Sequence, residues 1–514
     1  MSDMKKISLL FVALTCCIVL AYALTKSNSK KLDTDAVATI TISTSNETPV
    51  NPYLFGADAP NWRDSNPWDS SLTNKIARMA PTIMMTPENG IRCNYAHWNN
   101  PRGYGFDSTE LTELDARRVG GPQLCLHDMT SPLYQNKSYT ACFTYLDSVL
   151  NVPAIYGANI ATGTVDEAVA YVKKYKPSMV LLGVELFLPS AQPMFPSVQD
   201  YINKAKPFSA AIKNAAPNIK IAVQVPYYGN TGGPREQQIG QTWCEALKAD
   251  QSWYDDVAFY NWNQIAGSVN TQQPLDNVFS DAKDAEASFF DEITDKYNYY
   301  QQNFPGKKIL AQQWGMNDSK RNKEGSVFGN TMICAMHVGR YLQWMAANEN
   351  NKVAAAIFGG YLSCSYPPTT AIYAEHEPGN QMHIIYHEST VTIAFCMLSD
   401  AFHGNSTVEN TTVSKSGDIY AQSFQKDGKH YLYVENYSNS PQPVKINVNS
   451  SPASGTATIE ELHGDHLYSS VGWTGWQKIY TFQPTAPSEV VHDVKTNDVN
   501  SITVPGYSLT KIVF

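Results

Sequence analysis

From Leu54 onward the chain alternates short apolar runs with longer stretches of mixed polarity. Eight runs read as strands: LFGADA (54–59), PTIMM (81–85), PAIYGAN (153–159), SMVLLGV (178–184), IKIAVQV (219–225), DVAFYN (256–261), KILAQQ (308–313) and AAAIFGG (354–360). Most are followed by a helical stretch. The clearest is TVDEAVAYVKKYKP, where Thr164 and Glu167 are spaced as a capping box and Val165, Ala168, Val169 and Val172 fall on one face. Pro177 closes it, and the next strand begins at once. Eight strand–helix units predict a (β/α)8 TIM barrel, whose chemistry sits at the carboxyl ends of the strands.

After about residue 403 the helical pattern stops. GDIYAQSFQKDGKHYLYVENYS reads as a hairpin turning at Lys426-Asp427-Gly428-Lys429, and further strands run to SITVPGYSLTKIVF. Near the other end, VATITISTS (37–45) alternates and is β-branched. The expected organisation is a strand segment over 37–52 that joins a C-terminal β-sandwich over 403–514, with the barrel over 53–402 between them.

The first residues add a location. Met1–Lys6 carries two lysines, Ile7–Leu24 is uncharged and apolar, and Ala21-Tyr22-Ala23 offers small residues where signal peptidase cuts. Residues 1–24 therefore read as a signal peptide or, at the lower edge of membrane-spanning length, an uncleaved anchor. Residues 25–36 read as a polar linker. Cys16 and Cys17 lack the preceding small residue that lipid attachment needs. The expectation is a secreted or cell-surface protein, touching membrane only through this segment.

Composition narrows the partners. The 514 residues carry a net charge of −9, which argues against nonspecific nucleic-acid binding. With 30 Tyr and 10 Trp against 17% charged residues, aromatics are abundant; they serve core packing or stacking on sugar faces. Cys93, Cys125, Cys142, Cys244, Cys334, Cys364 and Cys396 leave an odd count beyond the leader, with no CxxC spacing for structural zinc. Cys125 and Cys142 flank a loop-like insertion and are the candidate disulfide, with two reduced buried thiols as the alternative. HEPGNQMHIIYH brings His376, His383 and His387 together, the last two at helical i, i+4 spacing, but Ile384 stands where a zinc protease has glutamate. The sequence points to no metal and no cofactor.

Strand ends supply the candidate chemistry. The fourth strand ends at Val184-Glu185, where a carboxylate follows an apolar run; the seventh ends at Gln312-Gln313-Trp314; the sixth ends at Tyr260-Asn261-Trp262; and Glu88-Asn89 follows the second. Quoted together, VNPYLFGAD, PTIMMTPENGIRCNYAHWN, GANIATGTVDEAVAYVKKYKP, LLGVELF, LAQQWG and VPGYSLTKIVF resemble, in order, the motifs of clan A glycoside hydrolases. These are the α-L-arabinofuranosidases, β-xylosidases and heparanase-like β-glucuronidases.

The resemblance implies that Glu185 stands at the acid/base position and Gln313 at the position of the nucleophilic glutamate. It also implies an oligo- or polysaccharide ligand, with Val184, Glu88, Asn89, Trp98, Asn159, Tyr260, Asn261, Trp262 and Trp314 lining its site. The departures cluster at that centre. Val184 replaces the asparagine that holds the sugar 2-hydroxyl, Gln313 replaces the nucleophile, Met84 or Met85 replaces an arginine, and Glu88-Asn89 replaces Gly-Gly.

A retaining glycosidase needs two carboxyls about 5–5.5 Å apart, and an amide cannot take the nucleophile's part. An inverting reaction needs a more distant base, for which Asp58, Glu88 and Glu375 are the candidates. Two readings follow: a catalytically degenerate carbohydrate-binding or structural surface protein, or an active glycoside hydrolase with altered machinery. An assembly subunit without a sugar ligand is a third class, marked by large apolar patches and a blocked pocket.

Overall fold

The eight apolar runs close into a parallel barrel. In the computed structural model of the chain, the structure describes residues 37–59, 69–87, 90–100, 105–130, 150–226, 234–265, 275–318, 330–360, 362–363, 371–377, 380–414, 417–471 and 490–514. The first strand, β1 (Ala38–Pro49), precedes the barrel. The barrel strands are β2 (Gly56–Asp58), β3 (Ile83–Thr86), β4 (Ala154–Ala158), β5 (Met179–Leu182), β6 (Lys220–Gln224), β7 (Asp256–Ile265), β8 (Lys308–Asp318) and β9 (Val353–Phe358). Around and between them run α1 (Ser70–Met79), α2 (Ser108–Ala116), α3 (Pro122–Met129), α4 (Val165–Tyr175), α5 (Val198–Ala215), α6 (Pro234–Ala249), α7 (Leu275–Asn303), α8 (Met332–Asn348) and α9 (Thr390–Phe402).

Two apolar layers follow from strand alternation. One fills the lumen, with Met85, Ile155, Leu181, Ala222, Leu310 and Ile357 among its members. The other lies between strands and helices and is continuous over the outer wall. Parallel strands of this kind are buried on both faces, which is why each reads as an unbroken apolar run.

Helix α4 starts at Thr164, whose side chain accepts the Glu167 N–H. The reciprocal half of the expected capping box goes elsewhere. The Glu167 carboxylate instead meets His97 Nδ1 at 3.0 Å, while His97 Nε2 meets Glu110 at 2.9 Å. This ties the segment after β3 to both α2 and α4. Burial alone would lower His97, but the bonds to Glu110 and Glu167 outweigh it and push it up to about 10.

The raised value fixes the sign of a pH effect. Folding binds the His97 proton more tightly than the unfolded chain does, so the stabilisation is complete below about pH 6.5 and is lost as pH climbs towards 10. Lys296, which burial lowers to about 7, acts in the opposite sense over much of that range. The isolating measurement is therefore the stability difference between wild type and His97→Gln. It is expected to be a few kcal/mol near pH 6 and to shrink steadily up to pH 10. A difference that does not vary with pH would remove the imidazolium.

Between β9 and α9 lies a small sheet that the sequence pattern did not reveal: β10 (Leu362–Ser363), β11 (Ile372–Glu377) and β12 (Asn380–Glu388). His383 and His387 lie on β12, a strand, so their expected helical spacing is corrected. Among the described residues no three metal-binding side chains gather. Cys142 of the candidate disulfide lies outside the described residues, and Cys125 is buried in α3.

The remaining strands are β13 (Thr407–Val413), β14 (Ile419–Lys426), β15 (Lys429–Asn436), β16 (Gln442–Val448), β17 (Ser451–Pro452), β18 (Thr456–His463), β19 (Val491–Asp498), β20 (Ile502–Val504) and β21 (Ser508–Val513). With β1 they form one ten-stranded sheet, curled into the β domain, in which β1 pairs antiparallel with β13. The β14–β15 hairpin turns at Asp427 and Gly428, both at positive φ, where the sequence placed it.

Alternation along β15 sends Tyr433 and Glu435 towards the barrel helices. The Tyr433 hydroxyl donates to the Met397 carbonyl at 3.0 Å, and Gln343 Nε2 donates to Glu435 at 2.8 Å. The sheet thus rests on α8 and α9, on the wall behind β8 and β9.

Candidate functional site

Strand β5 stops at Leu182, and the next three residues shape the site. Gly183 has φ +78, and a Cβ there would stand 2.4 Å from the Leu186 side chain, so only glycine fits the turn. Glu185 also adopts a left-handed conformation, φ +59, which a non-glycine residue holds only where its surroundings enforce it.

The enforcing contacts are visible. Asn94 clamps the Val184 peptide from both sides, accepting its N–H at 3.0 Å and donating to its carbonyl at 2.6 Å. Gln224, at the end of β6, accepts the Glu185 N–H at 2.5 Å. The Val184 side chain drops into the lumen cluster and is fully buried.

Across the mouth, β7 and β8 run in parallel register with Phe259 opposite Ala311 and Tyr260 opposite Gln313. Gln312 is the extra residue of a β-bulge, which changes the facing of everything after it. Gln313 accepts a hydrogen bond from Trp262 Nε1 at 3.2 Å. Both pack over Gly359 at the end of β9, where a Cβ would come within 2.8 Å of the Trp262 ring and 3.1 Å of Gln313 Cγ. Tyr260 packs on the lumen cluster. Burial, with Glu185 beside it, raises its hydroxyl well above the ordinary tyrosine value, so it stays protonated.

The sequence-predicted residues divide accordingly. Glu185, Gln313, Tyr260 and Trp262 converge on the mouth, with Val184 beneath them. Trp314 does not: it is fully buried, points outward, and stacks on Tyr341 of α8 at 4.6 Å. Asn261 also faces outward, donating to the Tyr341 hydroxyl. Trp98 packs edge-on against Tyr171 and Tyr175 and donates to the Glu167 carbonyl at 2.8 Å, so α4 covers its face. Asn159 ties two loops together, accepting the Thr162 N–H at 2.9 Å and donating to Thr162 Oγ1 at 2.9 Å and to the Ala96 carbonyl at 3.4 Å.

In these four the polar or aromatic surface is occupied by protein contacts. Glu88 and Asn89 lie outside the described residues. Asp58 sits at the end of β2, and Glu375 lies on β11.

Two contributors were missed, Asn94 and Gln224. For Gln224 the only signal is a polar residue set one position before the end of the apolar run IKIAVQV.

No protein-family model matches the chain, and no curated protein matches it in sequence. Solved structures do match in shape. A GH51 arabinofuranosidase from Xanthomonas axonopodis pv. citri superposes with a TM-score of 0.65 at 12% identity, covering 93% of this chain and 99% of its own. An α-L-arabinofuranosidase from Thermotoga maritima gives 0.62 at 15% identity with the same coverage. The chain shares with these arabinofuranosidases a closed eight-stranded parallel barrel joined to a β domain. A family 44 xyloglucanase from Paenibacillus polymyxa extends the likeness, at a TM-score of 0.56 and 12% identity, over 93% and 99% of the two chains. At such identities the likeness is one of architecture, barrel and β domain together. What the mouth does has to be argued from its own side chains.

Proposed function

We propose that the barrel mouth binds an oligo- or polysaccharide and that the chain does not hydrolyse it by retention. The observation that carries this reading is the pairing at the mouth. Glu185 is held in a costly backbone conformation at the end of barrel strand four, while strand seven presents the Gln313 amide, tied to Trp262. The strain on Glu185 argues for a working role. The amide removes the second carboxyl that retention requires. Trp262, part exposed beside Gln313, supplies an aromatic face for sugar C–H groups, so binding outlives turnover.

Export belongs to the same proposal. It rests on the apolar N-terminal run, and N-terminal sequencing that reads from Leu24 supports it, whereas a chain still starting at Met1 means an anchor.

The deciding experiment measures binding and turnover together. Calorimetry against arabinan, xylan and xyloglucan oligosaccharides is expected to show binding that weakens about tenfold in Trp262→Ala. Aryl arabinofuranosides, xylosides and glucuronides are expected to remain intact. Wild-type release that disappears in Glu185→Gln would overturn the reading in favour of an active hydrolase, with Asp58 first to be tested as the inverting base.

A further inference from the structure

We propose that Tyr260 and Gln224 are positioning residues that hold Glu185 as an ionised hydrogen-bond acceptor for a sugar hydroxyl rather than as a proton donor. This rests on the reading of the mouth as a glycan site.

The geometry begins with Gln224, which is almost wholly buried. Its Oε1 takes the Glu185 N–H, so its Nε2 must point the other way, and that nitrogen is sealed from solvent with no partner among the described residues. The Tyr260 hydroxyl is likewise sealed, without a partner of good geometry, and it lies beside both Gln224 and Glu185. Leaving two such groups unpaired is costly.

A small rotation closes a ring. Gln224 Nε2 donates to Tyr260 Oη, Tyr260 Oη donates to the Glu185 carboxylate, and the Glu185 N–H donates to Gln224 Oε1. The directions follow from the sealed Gln224 Nε2, which can only donate, while its Oε1 faces the Glu185 N–H. Once the tyrosine oxygen accepts from the amide, its single proton is left to point at the carboxylate.

Tyr260 is well placed to impose this. Its carbonyl accepts Lys296 Nζ at 2.6 Å, and the preceding Phe259 stacks on Tyr300 at 4.2 Å. A hydrogen bond donated to a carboxylate favours its charged form. The other titratable groups around the ring are Tyr95, facing Glu185 from the segment Ile91–Tyr95, Cys93, beside Tyr260, and Lys296, behind β7. An ionised Glu185 accepts from a sugar hydroxyl but has no proton for a leaving oxygen. The ring and the Gln313 amide thus favour binding without turnover from two sides.

The test is a titration of the Glu185 side chain in the ligand-free protein, by carbon-13 NMR of labelled glutamate, with the resonance assigned by its loss in Glu185→Gln. Tyr260→Phe keeps the ring packing and removes only the donor. The Glu185 midpoint is expected to rise by about one pH unit or more. Gln224→Met, which frees the tyrosine proton to turn away, is expected to move it in the same direction by less. A Tyr260→Phe midpoint within about 0.3 unit of wild type, or a fall in either variant, overturns the proposal. Because no glycan is present, the result is independent of the binding assay. A shifted midpoint in a protein that binds no oligosaccharide leaves the ring standing and removes only the glycan reading.

Discussion

Trp314→Ala is expected to destabilise the protein by about 3–5 kcal/mol, a loss at the upper end for a single side chain. The ring has no exposed surface and sits between Tyr341 of α8, Phe358 of β9 and Phe395 of α9, with centroids at 4.6, 5.1 and 6.3 Å. Removing it opens a cavity where the barrel wall meets the two helices that carry the β sheet. Trp314→Phe separates packing from polarity. The indole N–H is buried with no partner among the described residues, so phenylalanine discards an unpaired donor while keeping most of the apolar surface. Its cost is expected to stay below about 1.5 kcal/mol. Trp262→Ala, at a part-exposed ring, is expected to cost little stability and much affinity. Denaturant melts of the three variants check the ordering. A Trp314→Ala variant as stable as wild type, yet deficient in glycan binding, would put Trp314 back in the mouth.

That contrast shows where the sequence stops being legible. The eight barrel strands are readable because each is a short apolar run bounded by turn residues, and all eight take the places their order predicts. Which side chains face the mouth is much harder to read. Strands buried on both faces carry no polar–apolar alternation to separate lumen from wall. Trp262 and Trp314 look alike in sequence, each just after a strand's apolar run, yet one meets Gln313 and the other meets Tyr341. The bulge at Gln312 adds a further shift of parity with no mark in the local sequence. Glu185 stands out in the sequence because a carboxylate closing an apolar run is chemically conspicuous. Asn94 and Gln224 were not singled out, because neutral amides are common in turns as well as in sites. The mouth's loops hold the other gap, since Glu88 and Asn89 fall outside the described residues.

Gln313→Glu is expected to convert a silent mouth into one that releases nitrophenol from an activated aryl glycoside, on the order of tenfold to a hundredfold above wild-type background. The substitution changes one atom group on a residue whose backbone already sits opposite Tyr260 on β7. It restores an anion able to attack the anomeric carbon. It also places a second negative charge near Glu185, which favours protonation of one carboxyl of the pair and so works against the hold of Tyr260. Activated substrates are expected to respond first, because their leaving oxygen needs no proton. Natural oligosaccharides are expected to lag until Tyr260→Phe is added.

The resemblance to clan A suggests restoring the asparagine at position 184 as well, but the structure argues against it. Val184 fills the top of the lumen with no exposed surface, and Asn94 already holds both polar groups of its peptide. An asparagine there buries an amide among Met85, Leu181 and Ile357, at a cost of about 1–3 kcal/mol, and has no open path to a sugar hydroxyl. The double variant Gln313→Glu/Val184→Asn is therefore expected to be less stable than Gln313→Glu and no faster. Steady-state release measured on both, with Glu185→Gln in each background, decides the matter. A Gln313→Glu protein that binds oligosaccharide but releases nothing from activated substrates would mean that positions 185 and 313 are too far apart for a retaining pair.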